Sequence, residues 1–186
     1  CVAGANDAMT PAGAISALEH LENYQIVIGQ LEIPQEVTIA AFKKAKDFGA
    51  ITILNPAPFA LISPDLISVS DWIVPNESEF AGMHPQGLGP TSDENILEIA
   101  ATLKTRFVVT LGEKGAAFTT RDGEIRRVAA PQVKAIDTTG AGDAFVGAFA
   151  VGLAAHLSDE KAIALGCACA SKSVTRKGTQ SSYPTP

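Results

Sequence analysis

Val133-Lys134-Ala135-Ile136-Asp137-Thr138-Thr139-Gly140-Ala141-Gly142-Asp143-Ala144-Phe145 reads as a short strand, a Gly-rich turn carrying two carboxylates, and the start of an apolar helix. The helix continues to Ala155 with Gly147 and Gly152 as its only breakers. Small residues let the chain turn tightly and bring successive N–H groups close to a ligand, and a helix start leaves its first N–H groups unpaired and positive. The turn is therefore an anion cradle. Asp143 sits inside it, where a carboxylate repels phosphate, so a turn that served only to hold phosphate would not carry it. The misfit points to a base beside a place where negative charge is held. Gly-x-Gly turns also precede helices in many α/β proteins, and Asp is a common N-cap. Gly140-Ala141-Gly142 alone thus leaves a purely structural reading open.

Working outward, strands and helices alternate along the chain. Residues 24–30 are a short apolar run, expected as a strand buried on both faces. Pro34 starts a helix through Asp47, with Val37, Ala40, Ala41, Ala45 and Phe48 on one side and Lys43, Lys44 and Lys46 mostly on the other. Residues 51–54 and 72–74 are further strands, ended by Asn55-Pro56-Ala57-Pro58 and by Pro75. Asn76 opens a short helix, and Thr91 caps a longer one through Lys104. Residues 107–110 follow as a strand, and residues 115–119 and 124–128 as a hairpin around Arg121-Asp122-Gly123. Helices over 141–156 and 159–175 come next, and residues 181–186 end as a loop. This order predicts an α/β fold with a mostly parallel sheet covered on both faces and ligands at the carboxyl ends of its strands.

A chain of 186 residues that is 46% apolar buries one core, so residues 1–186 are expected to form a single domain portion. No apolar run reaches the ~18 residues of a membrane span, and no signal peptide is visible. A net charge of −6 argues against a nucleic-acid partner. Three cysteines suggest no disulfide framework and fit a reducing, cytoplasmic compartment. Cys167 and Cys169 lie two apart on an Ala-rich helix and read as buried small hydrophobes pointing to different sides. His20, His84 and His156 are scattered and read as surface residues. The chain begins at Cys1 with residues that read as the end of a strand, so an upstream portion is expected.

The string from Asp137 to Phe145 resembles the C-terminal signature of the ribokinase family, the phosphofructokinase B-type sugar kinases. The resemblance extends along nearly the whole chain. It implies a three-layer α/β/α, Rossmann-like ribokinase fold without its N-terminal strands, Gly-Gly-rich sugar-binding segment and β lid. It also implies transfer of the γ-phosphoryl group of ATP to a primary hydroxyl of a sugar. Asp143 would be the base, and the N–H groups of Gly140, Ala141, Gly142 and Asp143 would hold the developing charge. Asn55-Pro56-Ala57-Pro58 and Thr175-Arg176-Lys177-Gly178 look most like ribokinases in particular, which favours D-ribose and ribose 5-phosphate. Fructokinase, adenosine kinase and a non-catalytic nucleotide-binding fragment are the alternatives.

Other segments gain family roles beside their plain ones. Asn76 and Glu79, three apart, suit a capping box, and the resemblance implies that they organise Mg2+ and phosphates, Glu79 through water. Thr110, Gly112 and Gly115 suit a simple turn, and the resemblance lays them along the nucleotide, with Cys167 near its base. Residues 174–182 suit a solvated helix end. There the resemblance implies a K+-type site built from Asp137, Thr139, Ser173, Arg176, Gly178 and Ser182. Glu32 could be a surface carboxylate, and in the family it contacts the sugar side. A homodimer of the full-length protein is also implied.

Overall fold

Short runs of mostly apolar residues form the parallel strands. The computed structural model describes residues 4–83 and 91–184, so the expectations for Cys1 and His84 lie outside the described residues. The strands are β1 (Ile26–Gly29), β2 (Ile51–Leu54), β3 (Trp72–Ile73), β4 (Arg106–Thr110), β5 (Ala116–Thr119) and β6 (Ile125–Val128). They pair in chain order, parallel from β1 to β4 and antiparallel from β4 through β6. The expected α/β fold with a mostly parallel sheet is thus present. By internal contacts the chain divides into two units, Cys1–Phe107 and Val108–Pro186, with the division inside β4.

In the first unit the helices are α1 (Pro11–Glu19), α2 (Gln35–Asp47), α3 (Pro64–Ser68), α4 (Glu77–Met83) and α5 (Asp93–Leu103). Ile53, Leu54, Ile73 and Phe107 from the strands are fully buried with Phe42 of α2, Phe80 of α4 and Ile96 of α5. Each such side chain contributes roughly 1.5–3 kcal/mol by leaving water. Several expectations need correction. β1 is only half covered: Gly29 faces Thr38 and Phe42 of α2, so Ile28, on the opposite face, is 44% exposed. Phe48 is the C-cap of α2 and 62% exposed, turned against Tyr24, while Phe42 takes the buried place. The N-cap of α5 is Ser92, not Thr91, because its hydroxyl accepts the Asn95 N–H at 3.2 Å.

In the second unit the β5–β6 hairpin is followed by α6 (Ala141–Ala154) and α7 (Asp159–Ser173). A Cβ on Gly152 of α6 would stand 2.7 Å from Ala162 Cα, and one on Gly166 of α7 would stand 2.9 Å from the Phe145 ring. These glycines weaken their helices by about 1 kcal/mol each but let the two backbones approach. Residues 133–136 are not a strand: among the described residues they join no ladder, and the Ile136 N–H donates instead to the Val174 carbonyl at 2.7 Å. Gln180–Ser182 forms a 3-10 turn with Ser182 fully buried, where a plain loop was expected. Cys167 is buried as expected and Cys169 only half-buried; His20 and His156 are exposed. No helix among the described residues is long and apolar enough to cross a membrane.

Candidate active site

Gly140 opens α6 in the left-handed region, at φ +75°, which glycine adopts without strain. The first bond within the helix runs from the Ala144 N–H to the Gly140 carbonyl at 2.9 Å. The Gly142 N–H lies ahead of it, in the first turn where such groups face outward. Of the N–H groups expected to line the cradle, that of Ala141 is turned back onto the Thr138 carbonyl at 3.2 Å. Asp143 is exposed in the same first turn.

Asp137, six residues earlier, has a different environment. Its Oδ1 accepts the Thr139 N–H at 3.0 Å and the Thr139 hydroxyl at 2.7 Å, and its Oδ2 accepts the Gly178 N–H at 3.0 Å. The Gly178 N–H, then the two Thr139 donors, hold its carboxyl down at about 2, well below the usual 3.8. The N–H groups of Ile136 and Asp137 both donate to the Val174 carbonyl, at 2.7 and 3.2 Å. The segment after α7 therefore ties down the loop before α6.

The same segment reaches the Gly140 cap. A Cβ on Gly140 would lie 2.7 Å from the Tyr183 hydroxyl and 3.4 Å from Cβ and Cγ2 of Thr179. Ser182 anchors this part from inside, its hydroxyl donating to the Thr179 carbonyl at 2.6 Å. Sequence reasoning missed Tyr183. The one available signal was an aromatic residue in a run of small polar ones.

Of the residues expected to hold a monovalent cation, Asp137, Thr139 and Gly178 are joined by hydrogen bonds, and Ser182 bonds the carbonyl of Thr179, whose side chain lies over the Gly140 cap. The Ser173 carbonyl accepts the Arg176 N–H at 3.2 Å. The set offers oxygen only, and a carboxylate with about four lone-pair sites keeps one beyond its three bonds. Hard oxygens of this kind suit an alkali cation. No three His, Cys, Asp or Glu side chains gather as metal ligands among the described residues.

Thr110 ends β4, and Gly112 stands exposed at φ +57° in the Gly112–Lys114 turn. Gly115 is buried, and a Cβ there would meet the Val128 carbonyl and the Ala130 nitrogen. Its small size is set by the hairpin backbone. Gln132 Nε2 donates to the Glu113 carbonyl at 3.2 Å and links this turn to the chain leading into the anion loop. Cys167 is buried in α7, and burial pushes its thiol up to about 11.

In the first unit, Asn76 and Glu79 form the capping box in full. Asn76 Oδ1 accepts the Glu79 N–H at 2.8 Å, and Glu79 Oε2 accepts the Asn76 N–H at 2.8 Å. Ser78 Oγ also donates to Asn76 Oδ1, at 2.9 Å. Burial raises the Glu79 carboxyl above its usual range, and the Asn76 N–H pulls it the other way. At the carboxyl ends of the parallel strands, Gln30 Nε2 donates to Asn55 Oδ1 at 3.4 Å, and Asn55 Nδ2 donates to the Val74 carbonyl at 2.9 Å. Asn55, read from the sequence as the end of a strand and as part of a ribokinase-like segment, is a buried cross-strand tie. Glu32 is exposed on the bend after β1.

The model of the pfkB family carbohydrate kinases matches residues 2–186. Ribokinase of Staphylococcus aureus is 38% identical and is matched over 97% of this chain and 60% of its own length. Deoxyribokinase of Salmonella typhimurium is 39% identical, over 98% of this chain and 60% of its own. Among solved structures, Arabidopsis thaliana ribokinase complexed with ribose and ATP is similar with a TM-score of 0.83 and 31% identity, over 91% of this chain and 55% of that one. Thermotoga maritima ribokinase gives 0.76 and 36%, over 86% of this chain and 53% of that one. The chain thus spans about 60% of the length of the curated relatives it matches.

Proposed function

We propose, because this chain belongs to the pfkB family of carbohydrate kinases, that residues 1–186 are the nucleotide-binding and catalytic portion of an ATP-dependent sugar kinase. The favoured reaction is phosphorylation of the primary hydroxyl of D-ribose. One observation carries the assignment of roles: the two carboxylates of the anion loop stand at different places, one under the segment after α7 and one exposed on the first turn of α6. Asp137 accepts three hydrogen bonds and is held at about 2, whereas Asp143 is exposed at the first turn of a helix. Two like groups placed so differently take different roles.

Asp143 takes the proton of the attacking hydroxyl as general base, worth typically ~10²–10⁴-fold in rate. The Gly142 N–H and the positive end of α6 face the charge developing on the transferred phosphoryl. Thr110 and Gly112 lie along the nucleotide, with Gly115 fixing their turn and Cys167 near the base. Glu32 reads the sugar side. Glu79, through water, and Asn76 would hold magnesium, which supplies neutralisation of the phosphate charge. Asp137, Thr139, Ser173, Arg176, Gly178 and Ser182 would hold a monovalent cation such as K+, supplying fixed positive charge behind the loop. The full-length protein would act as a cytoplasmic homodimer.

The similarity to ribokinases, one of them complexed with ribose and ATP, supports ribose. The deoxyribokinase at 39% identity favours 2-deoxyribose as a second reading. Both are tested by sugar-dependent ADP release from the full-length protein with ribose, 2-deoxyribose, fructose and adenosine. Asp143→Asn should lower turnover by about 10³-fold while leaving nucleotide affinity within about twofold. Near-normal turnover in that variant would remove Asp143 as the base.

A further inference from the structure

Glycine permits the left-handed cap at residue 140 but does not select it, since glycine populates both signs of φ about equally. Something outside the residue must choose φ +75°. The Ala141 N–H bond to Thr138 is one determinant. The other is the cover on the Cα, where a Cβ would fall 2.7 Å from the Tyr183 hydroxyl, inside contact distance, and 3.4 Å from the Thr179 side chain.

Tyr183 is itself held in place. It follows the turn anchored by the fully buried Ser182, whose N–H and hydroxyl both bond the Thr179 carbonyl, at 2.9 and 2.6 Å. Pro184 comes next, and a residue before proline is restricted to extended backbone, as Tyr183 is at φ −64°, ψ 142°. Its hydroxyl also lies within the field of the Asp143 carboxylate. Burial first, and then that charge, hold it above the usual tyrosine range, so it remains a neutral phenol.

We propose that Tyr183 is a positioning residue of the anion loop: its hydroxyl, seated on Gly140, fixes the turn that aims Asp143 and the first-turn N–H groups of α6 at the transferring group. The proposal rests on the kinase reading above, and Tyr183 itself need not touch substrate. Removing one oxygen in Tyr183→Phe leaves the ring and opens a gap over Gly140. Misplacement on this scale costs turnover rather than nucleotide binding.

The test is made in the full-length protein. Tyr183→Phe should lower kcat about 10-fold while the KM for ATP stays within about twofold. Amide hydrogen exchange over residues 138–144 should rise at least several-fold, with α7 unchanged. Unchanged kcat and unchanged exchange overturn the proposal, as does a loss confined to KM. A fall in melting temperature with faster exchange throughout α6 and α7 also overturns it, since that is a loss of folding. If the unaltered protein releases no ADP with any sugar, the kinase reading fails instead. The exchange comparison on the full-length protein then still decides whether Tyr183 fixes the loop.

Discussion

The Asn76–Glu79 turn and the anion loop around Gly140 both open helices with polar groups, and they are held in opposite ways. The first closes on itself, through hydrogen bonds that span two to four residues. The second is shaped from a distance, since Gly178 lies 41 residues from the Asp137 it binds, and Val174 and Tyr183 are comparably remote. A self-contained cap depends mainly on its own residues and tolerates change around it. A remotely braced loop can hold a conformation that local chemistry alone would not select, and it fails when the brace fails.

The strongest way to break this contrast is Asp137→Ala, which removes the acceptor of three donors at once. Amide exchange at Thr139 and Gly178 should rise to that of an exposed turn, while Glu79 is unaffected. The same tie has a pH dependence of defined sign. The folded carboxyl is held at about 2 against 3.8 ordinarily, so its contribution is complete above about pH 4 and is lost as pH falls from there toward 2. The Gly178 amide resonance should titrate with a midpoint near 2; a midpoint at the ordinary value would show that the brace is not formed.

Next in size is Gly140→Ala, which puts a side chain at φ +75° and against the Tyr183 hydroxyl. The strain amounts to about 1–3 kcal/mol, read from the denaturant midpoint. Gly142→Ala two residues on, where a Cβ meets nothing within 4 Å, should stay within about 0.5 kcal/mol. Equal losses at both positions would mean that the cap is not selected by its cover. The smallest effects belong to the local turn. Asn76→Ala should cost about 1 kcal/mol through loss of the N-cap, and Glu79→Gln less than that, because an amide oxygen still accepts the Asn76 N–H.

Legibility in the sequence follows the same division. β2 was read with its observed ends, because a run of Ile, Thr, Ile and Leu between Ala50 and Asn55-Pro56 leaves few alternatives. The hairpin and helices α2, α5, α6 and α7 were equally plain in their local pattern, whereas α1 and α3 were not read from the sequence. Phe48 was misassigned because its spacing fits the buried stripe of α2, while the helix has already ended there and turns the ring outward. Residues 133–136 carry the alternation of a strand, but pairing needs a partner, and periodicity does not say whether one exists. For the site, Gly140 and Asp143 were visible as a pattern, and so was Asp137. What distinguishes the two carboxylates was not, because the Gly178 N–H that occupies Asp137 lies on the far side of two helices in the chain.

The bond from Ile136 to the Val174 carbonyl also has a consequence in time. Chains are made from the N-terminus at about 5–20 residues per second, so the capping turn at Asn76 can form as soon as it emerges. Asp143 must wait roughly 2–8 s longer for the segment that braces its loop to be synthesised. During that interval a nascent chain can carry its sheet without a shaped anion loop, so the loop takes its form only after the segment that braces it.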